Sequence, residues 1–170
     1  KEDFKILQDL NLNSYRFSVE WSRIEPQEGK WDRKEIEHYK NYISELRRRK
    51  IEPFLNIWHW THPVLFEEKG SFEKSKNIKY FERFVKKISD ELFDNVEYVL
   101  TINEPNNYAS FGYLIGEWPP QKTSFYLFFK TYWNLARAHK RVYKIIKQKR
   151  PHIQVGLAHN LANIQPKRPH

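Results

Sequence analysis

The sequence predicts an α/β fold in which four parallel strands alternate with helices, an incomplete arc of a (β/α)8 barrel. Three observations carry that reading. Apolar residues switch repeatedly between helical spacing and strand-like runs, in the order αβαβαβαβ, and strands separated by helices form parallel sheets through right-handed crossovers. Polar and aromatic residues gather where the strands end, at Glu20-Trp21, His59-Trp60, Asn103-Glu104 and His159-Asn160, as functional groups do at one rim of a barrel. No Gly-rich turn follows any strand, which argues against a dinucleotide fold or a P-loop. Four strands cannot close a barrel that needs eight.

The elements follow in order. Phe4 and Leu7, with Leu10 or Leu12, recur at helical spacing, so Lys1–Asp9 reads as the end of a helix, broken by Asn11 to Asn13. Ser14–Trp21 alternates, with Tyr15, Phe17, Val19 and Trp21 on one face and Ser14, Arg16, Ser18 and Glu20 on the other, the pattern of a strand with one greasy side. Pro26 and Gly29 mark a loop. Asp32 then caps a helix running to Lys50, with Ile36, Tyr39, Ile43 and Leu46 on its apolar stripe.

Ile51–Trp60 is nearly continuous in apolar residues, as a strand buried on both sides is. A short helical piece around Val64–Lys69 closes at Gly70, and Asn77–Leu92 places Phe81, Phe84, Val85, Ile88 and Leu92 in helical register. Val96–Ile102 is the third strand. Asn106–Thr123 reads as a long loop, a length usually reserved for function. Ser124–Arg150 is a long helix whose stripe is Phe125, Phe128, Phe129, Tyr132, Leu135 or Ala136, His139, Tyr143 and Ile146. Pro151 stops it, and Ile153–Ala158 is a last short strand.

One domain spans the 170 residues, enough for a real core. The hydrophobic fraction is a modest 39%, but 6 Trp, 10 Tyr and 12 Phe supply bulk for that core and platforms for sugars or bases. Cysteine is absent, which excludes disulfides, thiolate metal sites and cysteine nucleophiles, and fits a reducing, cytoplasmic setting. No apolar run approaches a membrane span and no signal-peptide pattern opens the chain. Met is absent, even at position 1. The expectation is an internal or processed piece, with elements preceding Lys1.

The net charge of +9 raises nucleic-acid binding. Its distribution argues otherwise. Beyond Glu117 there are eleven Lys and Arg and no carboxylate, whereas residues 1–117 hold nineteen basic and twenty-one acidic side chains. The excess sits on one helix, Lys130–Arg150, and a tail, as a solvated outer face does. Only non-specific nucleic-acid binding is expected there. The histidines lack metal-ligand clustering, so neither a metal nor another cofactor is predicted.

The chemistry concentrates at Val99-Leu100-Thr101-Ile102-Asn103-Glu104-Pro105. Pro105 ends the strand, leaving Asn103 and Glu104 at its carboxyl end, where ligands bind in α/β folds. A carboxylate at the lip of an apolar strand suits a general acid. The competing reading is structural, since Asn before Glu-Pro opens a helix well.

The block Tyr15-Arg16-Phe17-Ser18-Val19-Glu20-Trp21-Ser22-Arg23-Ile24, with Pro26 and Gly29, resembles the second barrel strand of glycoside hydrolase family 1, the β-glucosidase family. His59-Trp60 with Pro63 resembles its third-strand motif, and Thr101–Pro105 its fourth-strand acid/base motif. Gly112-Tyr113, Gly116 and Pro119-Pro120 resemble the loop that follows. Asn134–His139 and Val155-Gly156-Leu157 resemble the fourth helix and fifth strand. The resemblance runs from end to end and implies a TIM barrel represented by strands two to five.

It also implies a retaining β-glycosidase, in which two carboxyl groups stand roughly 5–5.5 Å apart. Glu104 falls on the acid/base position and Asn103 on the residue that binds the sugar 2-hydroxyl. His59 falls on a ligand of another sugar hydroxyl, and Trp60 shapes that subsite. Arg16 falls on an interior arginine beside the nucleophile; buried, it needs an anionic partner, and Glu20, on the same strand face, is the candidate. Trp118 is read as packing, and His62, His139, His159 and Asn160 as structural.

The family's nucleophile lies in a Glu-Asn-Gly motif that this chain lacks, as it lacks the first strand with its sugar-binding Gln and strands six to eight. The expected partner is a β-glucoside or another β-glycoside, with the chain supplying half a site and not turning over alone. The alternative is a non-catalytic carbohydrate-binding remnant. Exposed edges on the first and last strands would limit its stability. Oligomeric state is not legible.

Overall fold

The structure is a computed structural model that describes residues 2–162. Its elements are α1 (Glu2–Asp9), β1 (Ser14–Ser18), α2 (Trp21–Ile24), α3 (Arg33–Arg48), β2 (Glu52–Asn56), α4 (Val64–Glu68), α5 (Ile78–Leu92), β3 (Tyr98–Asn103), α6 (Pro105–Ala109), α7 (Phe125–Lys149) and β4 (Gln154–Ala158). The four strands form one parallel sheet in the order β1-β2-β3-β4. Strands neighbouring in sequence are neighbours in space, as successive βα units of a barrel are.

Register divides the sheet into two faces. Phe17, Leu55 and Val99 align and are buried beneath the helices. Arg16, Phe54 and Tyr98 align on the other face, where the Phe54 and Tyr98 rings stack 4.4 Å apart. Backbone pairing continues beyond the strand ends: Val19 N–H donates to Asn56 O, Ile57 N–H to Leu100 O and Asn103 N–H to Trp58 O. These bonds hold residues 57–60 and 103–104 beside one another.

The helices form where the residues dictate. Asp32 accepts hydrogen bonds from the backbone N–H groups of Lys34 and Glu35, at 2.8 and 3.2 Å, and α3 buries Ile36, Tyr39, Ile43 and Leu46. α5 buries Phe81, Phe84, Val85 and Ile88 completely. Trp21 stacks on Phe84 at 5.0 Å and touches Phe66 and Phe81 at 4.9 and 5.7 Å. Each such ring contributes about 1.5–3 kcal/mol by leaving water.

Three expectations are corrected. The first strand stops at Ser18 rather than Trp21, because Glu20 caps a helical turn by accepting from Ser22 N–H at 3.2 Å. The stretch Asn106–Thr123 is not a plain loop. Pro105 opens α6, and Ser110–Ile115 continues it as a π-helical turn that ends at Gly116. A side chain on Gly116, at φ +81°, would meet Thr123 at 2.8 Å. The buried stripe of α7 is Thr131, Asn134, Leu135, Ala138, Val142 and Ile146, while Phe125, Phe129 and Tyr143 are exposed. Small and β-branched residues let α7 approach α5 and the sheet, and the aromatics fall to its flank.

Candidate active site

Glu104 occupies the junction between β3 and α6, with φ +40° and ψ +63°. That left-handed conformation is costly for a residue with a side chain. It is held from both sides. The Glu104 N–H donates to Ala158 O at 2.9 Å, and its carbonyl accepts from Asn107 and Tyr108 N–H as α6 begins. The two sequence readings of Asn103-Glu104-Pro105 therefore both describe the backbone. Glu104 stands at the N-cap position with Pro105 at the first helical position, yet its side chain makes no capping bond. Its Oε2 instead accepts from the Asn107 amide at 3.1 Å.

Asn103 is 1% exposed. Its Nδ2 lies 3.0 Å from His59 Nε2, while His59 Nδ1 lies 3.2 Å from Ser18 Oγ. Ser18 Oγ in turn accepts from Asn56 Nδ2 at 3.0 Å. The half-buried His59 imidazole has its pKa pulled below the usual histidine value, first by burial and then by the Arg16 charge, against a smaller opposing pull from Glu104.

Trp60 has φ +75°. Its Nε1–H donates to Asn103 O at 2.8 Å and its ring meets His59 edge-on at 4.8 Å. Trp118 leans on Trp60 at 4.6 Å and stacks on Phe111 at 4.6 Å, the packing role read from the sequence. The structure thus brings His59, Trp60, Asn103 and Glu104 together.

The burial and the Glu20 partner expected of Arg16 are corrected. Arg16 is exposed on the open sheet face and pairs with no carboxylate among the described residues. Glu20 is not its partner. With β1 ended at Ser18, Glu20 turns into α2, where Oε1 binds Ser22 and Oε2 accepts from Thr61 Oγ1 at 2.6 Å. The histidines read as structural have neighbours to match: His62 with Glu67 at 2.9 Å, His139 with Thr101 at 2.7 Å, and His159 with Tyr132 at 3.0 Å. The Asn160 carbonyl accepts from Asn106 Nδ2 at 2.9 Å. Among the described residues no group of three or more His, Asp or Glu could hold a metal ion.

Sequence reasoning missed Asn56, Asn107 and the part played by Ser18. Asn56 carried a signal. It is the one polar residue inside Phe54-Leu55-Asn56-Ile57-Trp58 and is fully buried, where an amide must find partners. Asn107 carried none beyond its distance from Glu104.

The model of glycosyl hydrolase family 1 matches residues 1–170. The chain belongs to that family. It is 30% identical over 167 residues to a 1,4-beta-D-glucan glucohydrolase of Thermotoga neapolitana, covering 98% of this chain and 39% of that protein. It is 32% identical to a 6-phospho-beta-galactosidase of Staphylococcus haemolyticus, covering 96% of this chain and 35% of the relative. A beta-glucosidase from Thermotoga maritima, solved in complex with castanospermine, superimposes with a TM-score of 0.94 at 30% identity, over 98% of this chain and 38% of that one. The family 1 chain therefore spans somewhat over a third of the length of these relatives, and its sheet is part of a TIM barrel. No helix among the described residues is long and apolar enough to cross a membrane.

Proposed function

We propose that this family 1 chain carries the acid/base half of a retaining β-glycosidase site, acting on β-glucosides or related β-glycosides. The observation that carries the reading is the placement of Glu104 at the carboxyl end of β3, beside Asn103 and His59. Glu104 protonates the glycosidic oxygen as the bond to the anomeric carbon breaks, then takes a proton from the water that releases the glycosyl-enzyme. Asn103 binds the sugar 2-hydroxyl, a contact that strengthens in the oxocarbenium-like transition state. His59 takes a second hydroxyl, Trp60 shapes the subsite, and the Arg16 charge faces the position where the second carboxylate acts. The Glu-Asn-Gly motif that would supply that carboxylate does not occur in these 170 residues. Alone, the chain then binds sugar without turning it over.

The test is a chimera in which this chain replaces the matched segment of the Thermotoga maritima beta-glucosidase. Hydrolysis of a β-glucoside with a poor leaving group should fall about 10²–10⁴-fold in Glu104→Gln, and with an activated aryl glucoside, where the second step limits, azide should restore turnover by replacing water. An unchanged rate in the folded variant refutes the assignment. Purified 1–170 hydrolysing an aryl β-glucoside, at a rate that Glu104→Gln abolishes, refutes the half-site.

A further inference from the structure

We propose that Ser18 is the positioning residue that fixes His59 as its Nδ1–H tautomer, so that His59 offers a bare Nε2 to substrate. The proposal rests on the glycosidase reading for its purpose, but its geometry stands apart from that reading.

Donors and acceptors around the imidazole select the tautomer. The Asn103 Nδ2 group carries only donors, and it sits 3.0 Å from His59 Nε2. That nitrogen therefore accepts. A neutral imidazole with an accepting Nε2 holds its proton on Nδ1, and Ser18 Oγ lies 3.2 Å from Nδ1. Ser18 Oγ also accepts from Asn56 Nδ2 at 3.0 Å. Both of its lone pairs are then committed, and its own proton is directed away from the two donors.

Burial supports the chain. Asn56 and Asn103 are 0% and 1% exposed, so neither amide can exchange its partner for water cheaply. The backbone bonds from Val19 N–H to Asn56 O and from Asn103 N–H to Trp58 O hold the three strand ends in this relation. The sequence places Ser18 two residues beyond Arg16 on the polar face of β1, aligned with Asn56 in β2.

The consequence concerns recognition. A bare Nε2 accepts a hydrogen bond, so the hydroxyl that docks on His59 must donate. The Asn103 amide that it displaces is a donor and is freed for an adjacent oxygen. The pair is thereby matched to neighbouring hydroxyls on one sugar edge, one donating and one accepting. With the reverse tautomer His59 Nε2 and Asn103 Nδ2 would both be donors facing each other, and that match would be lost.

The experiment is two-bond ¹H–¹⁵N spectroscopy of the histidine-labelled 170-residue chain near neutral pH, with the His59 signals identified by their loss in His59→Gln. The expected result is a single Nδ1–H species in the unsubstituted chain. Ser18→Ala should lose about tenfold in tautomer bias, the worth of one hydrogen bond, and Ser18→Thr, which keeps the hydroxyl, should restore it. If Ser18→Ala does not fold, Ser18→Cys, a weaker acceptor, gives the same readout. An Nε2–H species in the unsubstituted chain overturns the proposal. So does full Nδ1–H occupancy after the acceptor is removed. Neither result depends on Glu104 or on turnover, so a failure here is distinct from a failure of the glycosidase reading.

Discussion

The side-chain amide of Asn107 donates to Glu104 Oε2 at 3.1 Å, one turn along the helix that Glu104 itself opens. The bond joins a carboxylate on strained backbone to the more regular backbone of α6. It therefore limits the orientations open to a side chain that must face a glycosidic oxygen. In the chimeric barrel, Asn107→Ala should lower kcat roughly tenfold for substrates with poor leaving groups, the value of one ordinary hydrogen bond. For substrates that need no proton, kcat/KM, which reports the first step alone, should be unaffected. Equal losses for good and poor leaving groups would show that Asn107 serves folding rather than proton transfer.

Stability should fall with pH through the histidine range. Burial holds the His139 imidazole below its ordinary value, and burial followed by Arg16 does the same for His59. A histidine with a depressed folded pKa binds its proton more readily in the unfolded chain. Its contribution is complete above the unfolded value of about 6.5 and is lost as pH falls through the lower folded one. Glu91, held at about 2 chiefly by hydrogen bonds from Lys87 and Lys40, titrates below this window. Urea midpoints should decline from about pH 7 to about pH 5, and His139→Gln should show a shallower decline. A slope equal to that of the unsubstituted chain would remove His139 from the account.

Asp32→Ala should cost about 1 kcal/mol, because two backbone donors at the start of α3 lose their acceptor. Asp32→Asn should recover most of it. Chemical denaturation monitored by far-ultraviolet circular dichroism measures both, and a change below the error in Asp32→Ala would mean that tertiary packing alone sets this helix end.

What could be read from the sequence, and what could not, follows from where each signal resides. Ile36, Tyr39, Ile43 and Leu46 mark one stripe of α3 unambiguously because the other faces are charged. α7 has apolar residues on two adjacent faces. Periodicity alone cannot then choose the buried one, and close approach to α5 favours Ala138 and Val142 over Phe125 and Phe129. Arg16 and Glu20 share a strand face only if the strand reaches both, and the Glu20 cap ends it first. The cluster of His59, Trp60, Asn103 and Glu104 was legible because each stands where an apolar run stops. Ser18 and Asn56 act through His59, and links between side chains on different strands depend on register, which no local pattern records.

Trp60→Phe isolates one such link between strands. A phenyl ring replaces the indole and keeps an aromatic group against His59 and Trp118. What is lost is the Nε1–H bond to the Asn103 carbonyl at 2.8 Å. That carbonyl belongs to the peptide leading into Glu104, the residue at φ +40°. Removing its donor should cost about 1 kcal/mol of stability, a modest effect by denaturation. The larger consequence should appear at the sugar. Asn103 loses one of the three bonds from the β2 end that orient it, the others running from its side chain to His59 and from its backbone N–H to Trp58 O. Binding of a glucose-configured inhibitor to the chimeric barrel should weaken about five- to tenfold by titration calorimetry, on the scale of one or two hydrogen bonds. Trp60→Leu should lose more, because it removes the ring as well. If Trp60→Phe binds as tightly as the unsubstituted barrel, the His59 bond and the backbone bond to Trp58 suffice to hold Asn103.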